Sequence, residues 1–346
     1  MHIKTKILIL KHPFEFDVRI VIFALDKHNP LYSFSKEMPL SVRLDNFTIV
    51  YGKTVAVDHL TIEFPAGATG LLGVNGAGKS SLIKGLLGLV PLKEGSATTM
   101  GKDVVLNARQ VRQLIGYMPE DDCLIPGLSG VELVRYAGEL IGMPGTDAMQ
   151  RAHDVLFAVG LGEARYRNVE SYSSGMKQRV KLAQAIVHHP KLLFLDEPTS
   201  GMDPRGRQEL LELIQYISRK WEMSIVLATH ILADVERTCD HVVMIHEGHA
   251  LAQDRVNDLR GQYSNTLTIR VEGDKQKFQE ALVAGGCRIL SEDRQLMDVK
   301  LPQGTDAELI LKMVIKTGVT LRKLVPSIQT LEEVFVKRVG GDHAGV

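Results

Sequence analysis

A glycine-rich segment between Leu72 and Ser81 carries residues whose spacing suits the binding of phosphate. The pattern G-x-x-x-x-G-K-[ST] is met by Gly73, Gly78, Lys79 and Ser80. Glycine accepts a positive φ and has no Cβ, so successive N–H groups of such a loop can converge on one anion. The lysine supplies a positive charge for the outer phosphates, and the serine hydroxyl can ligate Mg²⁺. The segment therefore predicts a nucleotide site.

The other residues of this loop are predicted to face the same anion. Asn75, Gly76 and Ala77 lie inside the pattern, and Ser81 follows it in the first turn of a helix. A helix start adds unpaired amides and the positive end of the helix dipole. The alternative is a glycine-rich turn that matches by chance. It is disfavoured because an apolar run precedes the loop and helix-forming sequence follows it.

Two carboxylates follow directly on an apolar run in the segment Lys191 to Glu197, KLLFLDE. A strand that is apolar without interruption is buried on both faces, as in a parallel sheet. At its end, Asp196 is placed to hold a water of Mg²⁺. Glu197 is placed to orient and deprotonate an attacking water as a general base. The alternative, an exposed glutamate beside a proline, is disfavoured because Asp196 precedes it.

A histidine and a serine-glycine segment complete the candidate residues. His230 follows the apolar run Val226 to Thr229, where it could hydrogen-bond a γ-phosphate or the attacking water. A lone histidine is more often structural, but this position favours a functional one. Ser173, Ser174 and Gly175 open a helix. Their amides and hydroxyl predict a second anion-binding helix end.

The elements that position these residues alternate as strand, loop and helix from about residue 42 to residue 259. This alternation predicts an α/β layered core with the candidate residues at strand carboxyl ends. Two strand-like runs joined by a Tyr-Gly turn predict an antiparallel flap ahead of the loop. Tyr51 lies on that flap, where its ring either stacks on adenine or simply packs. From 121 to 172 the pattern is helical, and Ser129 with Glu132 predicts a capping box.

Residues 264–340 follow a different pattern from residues 38–260. Their predicted order is β-α-β-β-α-β, the ferredoxin-like order, with a closing helix from Thr330 to Arg338 and no catalytic cluster. We therefore expect a small α+β accessory domain after the α/β domain. Residues 1–37 fit neither pattern. They are either an accessory extension or precede a true translation start at Met38, where the character of the sequence changes abruptly.

The bulk composition excludes several classes of protein. A length of 346 residues suggests two domains, and 45% hydrophobic with 24% charged residues is ordinary globular composition. A net charge of zero gives no reason to expect non-specific binding to nucleic acid. The three scattered cysteines suit reduced thiols of a cytosolic protein. No uncharged apolar stretch reaches the roughly 20 residues of a membrane helix, so a membrane process would need a second chain.

The sequence resembles the ATP-binding subunits of ABC transporters in four segments taken together. These are the phosphate loop, the segment Tyr172 to Met176 (YSSGM), the run LFLDEP and the strand before His230. The resemblance covers about residues 42–259 and includes a D-loop from Ser200 to Asp203. It implies the P-loop NTPase ABC cassette, with a mixed sheet core, an antiparallel β flap and an α-helical subdomain at about 121–172. The tail segment Leu331 to Phe335 resembles that of exporter subunits of the drug, antibiotic or sodium efflux type.

The resemblance implies binding and hydrolysis of ATP with Mg²⁺. The implied catalytic residues are Glu197, His230 and Lys79. The implied metal-binding residues are Ser80, Glu120 and Asp196. The implied nucleotide-binding residues are the A-loop tyrosine Tyr51, the loop residues Gly73, Asn75, Gly76, Ala77, Gly78, Lys79, Ser80 and Ser81, then Glu120 and His230, and Ser173, Ser174 and Gly175 acting on the ATP of an opposite subunit. Two such domains, identical or closely related, would close head-to-tail on ATP.

The sequence departs from the usual pattern of this family at a few positions. Glu120 stands where the Q-loop glutamine lies, so it still offers an oxygen to Mg²⁺ but adds a negative charge. Tyr172, Ser174 and Met176 replace residues of the signature, and Ser174 adds a Cβ where glycine permits close approach. Met202 replaces a D-loop leucine with little change of volume.

Three functions follow from these residues. The leading one is an ATPase on the cytoplasmic face of the cell membrane that powers a separate permease for export, docked through the helical region near Pro126 and Leu128. The second, an ATPase acting on nucleic acid or the ribosome, is disfavoured by the single cassette, the short spacing and the neutral charge. The third, a nucleotide-gated module without turnover, is disfavoured because Lys79, Glu197 and His230 are all present. These motifs do not encode the transported substrate.

Overall fold

The computed structural model describes residues 40–261, 266–292, 296–302, 304–305, 307–326, 331–332 and 335. The predictions for residues 1–37 and for a start at Met38 lie outside the described residues. Within the described part, no helix is both long enough and apolar enough to cross a bilayer.

The first domain is an alternation of strands and helices. Its strands are β1 (Leu40–Tyr51), β2 (Thr54–Pro65), β3 (Ala68–Leu72), β4 (Glu94–Thr99), β5 (Lys102–Asp103), β6 (Ile115–Met118), β7 (Leu192–Asp196), β8 (Ser224–Thr229), β9 (His241–His246) and β10 (His249–Arg255). Its helices are α1 (Lys79–Leu86), α2 (Ala108–Leu114), α3 (Gly130–Leu140), α4 (Gly145–Ala158), α5 (Ser174–Ile186), α6 (Pro204–Trp221), α7 (Leu232–Thr238) and α8 (Val256–Gly261).

The central sheet has the order β10-β9-β3-β8-β7-β6 and is parallel except for the antiparallel hairpin of β9 and β10. Every residue of β7 and of β8 is buried, as their unbroken apolar runs predict. The carboxyl ends of β3, β7 and β8 therefore meet at one edge of the sheet. The prediction of a parallel α/β core is confirmed.

The core lies on both faces of this sheet because neighbouring side chains of a strand point in opposite directions. Leu193 and Leu195 of β7 pack with α5, α6 and the helical subdomain. Phe194, between them, packs with α1 and the flap. The central sheet is thus held between two apolar layers, which fixes the positions of the strand ends.

The flap is a second sheet with the order β2-β1-β4-β5, antiparallel throughout, as predicted. It presents Phe47 and Ile49 to α1, the helix that follows the phosphate loop. Contact is close at Gly85, where an added Cβ would lie 2.4 Å from Ile49 Cδ1. The flap therefore holds α1, and with it the loop, against the central sheet.

The helical subdomain begins with the predicted capping box. The Glu132 amide donates to the Ser129 side chain, and the Glu132 carboxylate accepts from the Ser129 amide at 2.8 Å. The next helix, predicted from Asp147, begins two residues earlier at Gly145, with Pro144 as its N-cap. The preceding helix already ends at Leu140, so Pro144 is not what ends it.

The second domain has the predicted order of elements. They are β11 (Thr266–Glu272), α9 (Lys275–Ala284), β12 (Arg288–Glu292), β13 (Met297–Lys300), α10 (Ala307–Thr317) and β14 (Thr320–Pro326). The strands form an antiparallel sheet of order β12-β13-β11-β14, and Ile269, Phe278 and Ile310 are fully buried in a core of its own. This is the ferredoxin-like arrangement.

The segment after β14 returns to the first domain. Leu331 is fully buried in the apolar layer that contains β7, α5 and α6. Its backbone N–H donates to Glu236 Oε1 on α7 at 2.6 Å. Leu331, Glu332 and Phe335 are helical, whereas the rest of the predicted closing helix lies outside the described residues. The tail is therefore anchored on α7.

Candidate functional site

The phosphate loop follows β3 and depends on two glycines. A Cβ at Gly73 would lie 2.6 Å from the carbonyl oxygen of Ile245. Gly78 has a φ of 103°, and a Cβ there would lie 2.3 Å from the carbonyl oxygen of Ala56. Helix α1 begins at Lys79, directly after Gly78, and has no side-chain cap. Its first amides are therefore available to an anion, as predicted.

Lys79 is almost fully buried and its ammonium lies inside the loop. Nζ donates to the carbonyl oxygens of Gly73 at 2.8 Å and Val74 at 3.2 Å. It also lies 3.5 Å from Glu197 Oε1, and the two side chains are 6% and 5% exposed. An ion pair this well buried gives a strong local field, because little water screens it.

Glu197 is held by the end of the neighbouring strand. Its Oε1 accepts from the His230 amide at 3.0 Å and from His230 Nδ1 at 2.9 Å, and its Oε2 accepts from Thr229 Oγ1 at 3.1 Å. The backbone of Glu197 has a φ of 46°, a conformation that is costly for a residue with a Cβ. The structure therefore brings together Lys79, Glu197 and His230.

Asp196 has an unpaired oxygen next to Ser80. Its Oδ1 is buried without a hydrogen-bond partner, and its Oδ2 accepts from the Tyr117 hydroxyl at 3.4 Å. Burial raises the pKa of the Asp196 carboxyl, and the Ser80 hydroxyl beside it acts in the opposite direction. Burial, then the charge of Asp196, raises the pKa of Tyr117, which keeps the phenol protonated as a donor. A divalent cation would satisfy the orphaned oxygen.

A cavity of about 370 Å³ connects these groups. Its lining residues are Ala56, Asn75, Gly76, Gly78, Lys79, Ser80, Ser81, Glu120, Asp196 and Glu197. Ser80, Glu120 and Asp196 offer a hydroxyl and two carboxylates, the oxygen ligands that Mg²⁺ prefers. The residues present therefore fit the metal. Ala56, on the flap, is a lining residue that sequence reasoning missed, because nothing in a strand pattern marks a backbone that closes over a loop.

Tyr51 ends β1, opposite Thr54, and its side chain is 44% exposed. It does not line the cavity of the phosphate loop. Its role in adenine stacking stays a prediction, and simple packing is not favoured for a ring with this much exposure.

The signature segment caps a helix but does not reach this cavity. Ser173 is the N-cap of α5, and its Oγ accepts from the Met176 amide at 3.4 Å. Ser174 and Gly175 form the first turn. None of these three lines the cavity within the described chain. A partner subunit's nucleotide is the ligand that the family resemblance assigns to them.

Tyr172 shows why one signature departure is tolerated. The side chain is 5% exposed, and its hydroxyl donates to the carbonyl oxygen of Ala164 at 2.8 Å. Gly130 makes room for the ring, since a Cβ there would lie 2.3 Å from the hydroxyl oxygen. Tyrosine thus acts as a buried anchor in the helical subdomain. Ser174 is exposed, so its extra Cβ is accommodated within one subunit.

A buried carboxylate that sequence reasoning missed links the D-loop side of the site to α7. Asp234 accepts from Thr199 Oγ1 at 3.0 Å and from Arg207 Nε at 2.8 Å, and it is 3% exposed. The sequence signal that could have identified Asp234 is its position four residues after His230, a predicted site residue. This network fixes the chain shortly after Glu197, at Thr199, and shortly after His230, at Asp234.

The sheet and this site define a P-loop nucleoside triphosphatase. Residues 57–200 match the family model ABC_tran, described as ABC transporter. The bacitracin transport ATP-binding protein BcrA of Bacillus licheniformis is 31% identical over 319 residues, which are 89% of this chain and 100% of that protein. The daunorubicin/doxorubicin resistance ATP-binding protein DrrA of Streptomyces peucetius is 31% identical over 297 residues, 84% of this chain and 90% of that protein.

A solved structure gives the same result. A structure described as the ATP-binding subunit of an ABC transporter has a TM-score of 0.56 and 29% identity, covering 64% of this chain and 92% of that one. The chain belongs to the ATP-binding proteins of ABC transporters and is an ATPase of that family. The predicted family and cassette fold are confirmed, and the alternative of an ATPase for nucleic acid or the ribosome is not favoured.

Proposed function

We propose that this chain binds ATP with Mg²⁺ and hydrolyses it to drive export through a separate membrane permease. The observation that carries the proposal is the buried pair of Lys79 and Glu197 in the phosphate-loop cavity, with the half-exposed His230 hydrogen-bonded to Glu197 beside it. Relatives named for bacitracin transport, daunorubicin resistance and Nod factor export support export as the direction of transport. The protein would work at the cytoplasmic face of the membrane.

The residues divide the chemistry between them. Glu197 would take the proton of the attacking water, and His230, through the Nε2 that its bond to Glu197 leaves available, would contact the γ-phosphate. Lys79 would leave the loop carbonyls for the phosphate oxygens. Mg²⁺ held by Ser80, Glu120 and Asp196 would neutralise charge that develops on the phosphates.

The signature helix would serve the second ATP-binding subunit. Ser173, Ser174 and Gly175 stand at the start of α5 without a role in their own cavity. A helix start is an anion site, so these residues suit the γ-phosphate bound to an opposite subunit. The partner is a second copy of this chain or a close paralogue. No nucleic acid partner is expected.

The permease would dock in a groove between the first domain's core and its helical subdomain. This groove has a volume of about 500 Å³ and is bordered by exposed apolar side chains, among them Leu89 and Leu140, with Arg109 and Arg112 at its edge. An exposed apolar groove with a charged rim is the usual anatomy of a protein interface. Pro126 is exposed and Leu128 is partly buried against the core, so docking near these two residues stays a prediction beside the groove.

Phosphate release tests the function directly. The purified protein is expected to release phosphate from ATP in the presence of Mg²⁺, and more rapidly when it is co-purified with its membrane permease. Absence of release under both conditions would favour a nucleotide-gated module without turnover.

Glu120→Gln is expected to retain hydrolysis but to need about tenfold more Mg²⁺, because the lost carboxylate removes one negative charge from the metal-binding group. The measurement is phosphate release across a Mg²⁺ titration at fixed ATP. Asp121→Asn, at the exposed neighbouring position, is the control and should leave the Mg²⁺ midpoint unchanged. Complete loss of activity in Glu120→Gln would contradict the prediction.

Leu140→Asp is expected to weaken permease binding at least about tenfold without changing ATP hydrolysis by the isolated protein, since it places a charge inside the docking groove. Binding is measured with the detergent-solubilised permease. Leu106→Asp is the matched control, because Leu106 is 84% exposed and lies outside the groove. Equal binding by the two variants would move the docking surface elsewhere.

A further inference from the structure

Lys181 is a buried cation to which neither the catalytic group nor the phosphate loop gives a role. It lies on α5, the helix opened by Ser173, and its side chain is 2% exposed. Nζ donates to the backbone carbonyl oxygen of Glu120 at 2.7 Å. Placing an ammonium group in the interior is unfavourable unless its hydrogen bonds compensate for the lost water. The hydrogen bond from Lys181 to the Glu120 carbonyl oxygen is therefore expected to have a specific role.

The residue that receives this bond lies in an irregular part of the chain. Strand β6 ends at Met118, and α3 begins only at Gly130. Glu120, in between, has no ladder or helix partner to fix its carbonyl group. Its position therefore depends on side chains from other elements, and Lys181 is the buried one among them.

A second lysine of α5 reaches the same segment from one turn earlier. Lys177 Nζ lies 3.2 Å from Asp122 Oδ2, and the two side chains are 33% and 55% exposed. Exposed ion pairs contribute little, because water and salt screen them. The two lysines therefore form a natural comparison: the same helix and the same segment, with one contact buried and the other solvated.

The buried contact adjoins the proposed metal-binding residues. A cavity of about 430 Å³ is bordered by Lys181 and by Ser80, Tyr117, Glu120 and Asp196. Glu120 borders the phosphate-loop cavity as well, while its carbonyl oxygen accepts the hydrogen bond from Lys181 on α5. Glu120 thus borders the proposed nucleotide site and is held in place through its backbone carbonyl group.

We propose that Lys181 is a positioning residue that holds Glu120 beside Ser80 and Asp196 by binding its backbone carbonyl group. The proposal rests on the proposed function in so far as Glu120 serves the metal. Lys181 acts through Glu120 and touches neither metal nor nucleotide. Because α5 also carries the signature residues at its start, the same bond ties the metal side of one site to the helix that serves the other.

Lys181→Met keeps the length of the side chain and removes the donor. Hydrogen exchange of the segment from Tyr117 to Cys123, measured on the full chain without nucleotide, should become at least about tenfold faster than in the wild type. Lys177→Met should leave exchange unchanged. Equal exchange in Lys181→Met and wild type would overturn the proposal. If Lys181→Met does not fold, Lys181→Leu, which is also neutral and has no donor, replaces it with the same outcomes.

The metal readout then links position to function. In Lys181→Met the Mg²⁺ concentration that half-maximally tightens the binding of a fluorescent ATP analogue should rise about tenfold, the scale expected when a partner that orients a metal ligand is lost. Binding of the analogue in EDTA should not change. A Mg²⁺ midpoint equal to that of the wild type would show that Lys181 is only structural and would overturn the proposal.

A double variant separates position from charge. In a Glu120→Gln background the carbonyl group remains, so Lys181→Met should still accelerate exchange of the segment. If the effect disappears there, Lys181 acts by balancing the Glu120 carboxylate, and the positioning role is wrong. A wild type that fails to hydrolyse ATP would count against the proposed function alone, because the exchange experiment needs no turnover.

Discussion

Glu197→Gln is expected to lower phosphate release at least about 100-fold while leaving ATP binding intact, the scale associated with loss of a general base. The amide has the shape of the carboxylate and still accepts from Thr229 or His230. It cannot take a proton from water. The variant would therefore keep the position of the side chain at residue 197 and lose its ability to act as a general base.

The matched control for this variant is Glu222→Gln. Glu222 has a φ of 51°, close to the 46° of Glu197, but it is exposed at the end of α6. Its replacement tests whether a left-handed backbone with an amide side chain disturbs the fold by itself. Phosphate release is measured at saturating ATP and Mg²⁺. Turnover within threefold of the wild type in Glu197→Gln would assign the proton transfer to another group.

Lys79→Met is expected to weaken ATP binding at least about 30-fold, since each charged hydrogen bond to phosphate contributes about 1.5–3 kcal/mol. A further loss comes from Glu197, whose carboxylate would lose its nearest cation at 3.5 Å and repel the γ-phosphate. The two effects act in the same direction. Phosphate release should fall in parallel because little ATP is bound.

Equilibrium binding of a fluorescent ATP analogue measures this effect. Lys93→Met is the control, because the side chain of Lys93 is 59% exposed and lies outside the phosphate-loop cavity. Thermal unfolding of both variants checks that the buried site still folds. An unchanged dissociation constant in Lys79→Met would mean that its ammonium stays on the Gly73 and Val74 carbonyl oxygens when nucleotide binds.

The parts of the site that could be predicted from the sequence are those formed by short contiguous segments of the chain. The loop from Gly73 to Ser81 and the run that ends in Asp196 and Glu197 carry their geometry in local chemistry: glycines that permit close approach, and an apolar strand that delivers its last side chains to one edge of the sheet. His230 was accessible for the same reason, because it follows an apolar strand that pairs beside β7.

The parts that were missed depend on residues far apart in the chain. Lys181 finds its acceptor 61 positions away, and Asp234 finds Thr199 35 positions away. Both are charged residues on helices, where an exposed position is the default expectation. Only the packing of α5 and α7 against the core shows that they are buried. Periodicity gives the inward face of a helix, but it does not name the partner of a charge on that face.

Leu331 has a consequence for where this protein can be divided. The sequence suggests a cut near residue 261, after the last element of the first domain. Yet the apolar layer that contains β7 includes the side chain of Leu331, which follows the whole ferredoxin-like domain in the chain. Glu236 on α7 also accepts a hydrogen bond from the backbone N–H of Leu331. A fragment ending at 261 would leave a hollow on α7, the helix that begins two residues after His230. The core of the ATPase is thus completed by a residue that follows the ferredoxin-like domain.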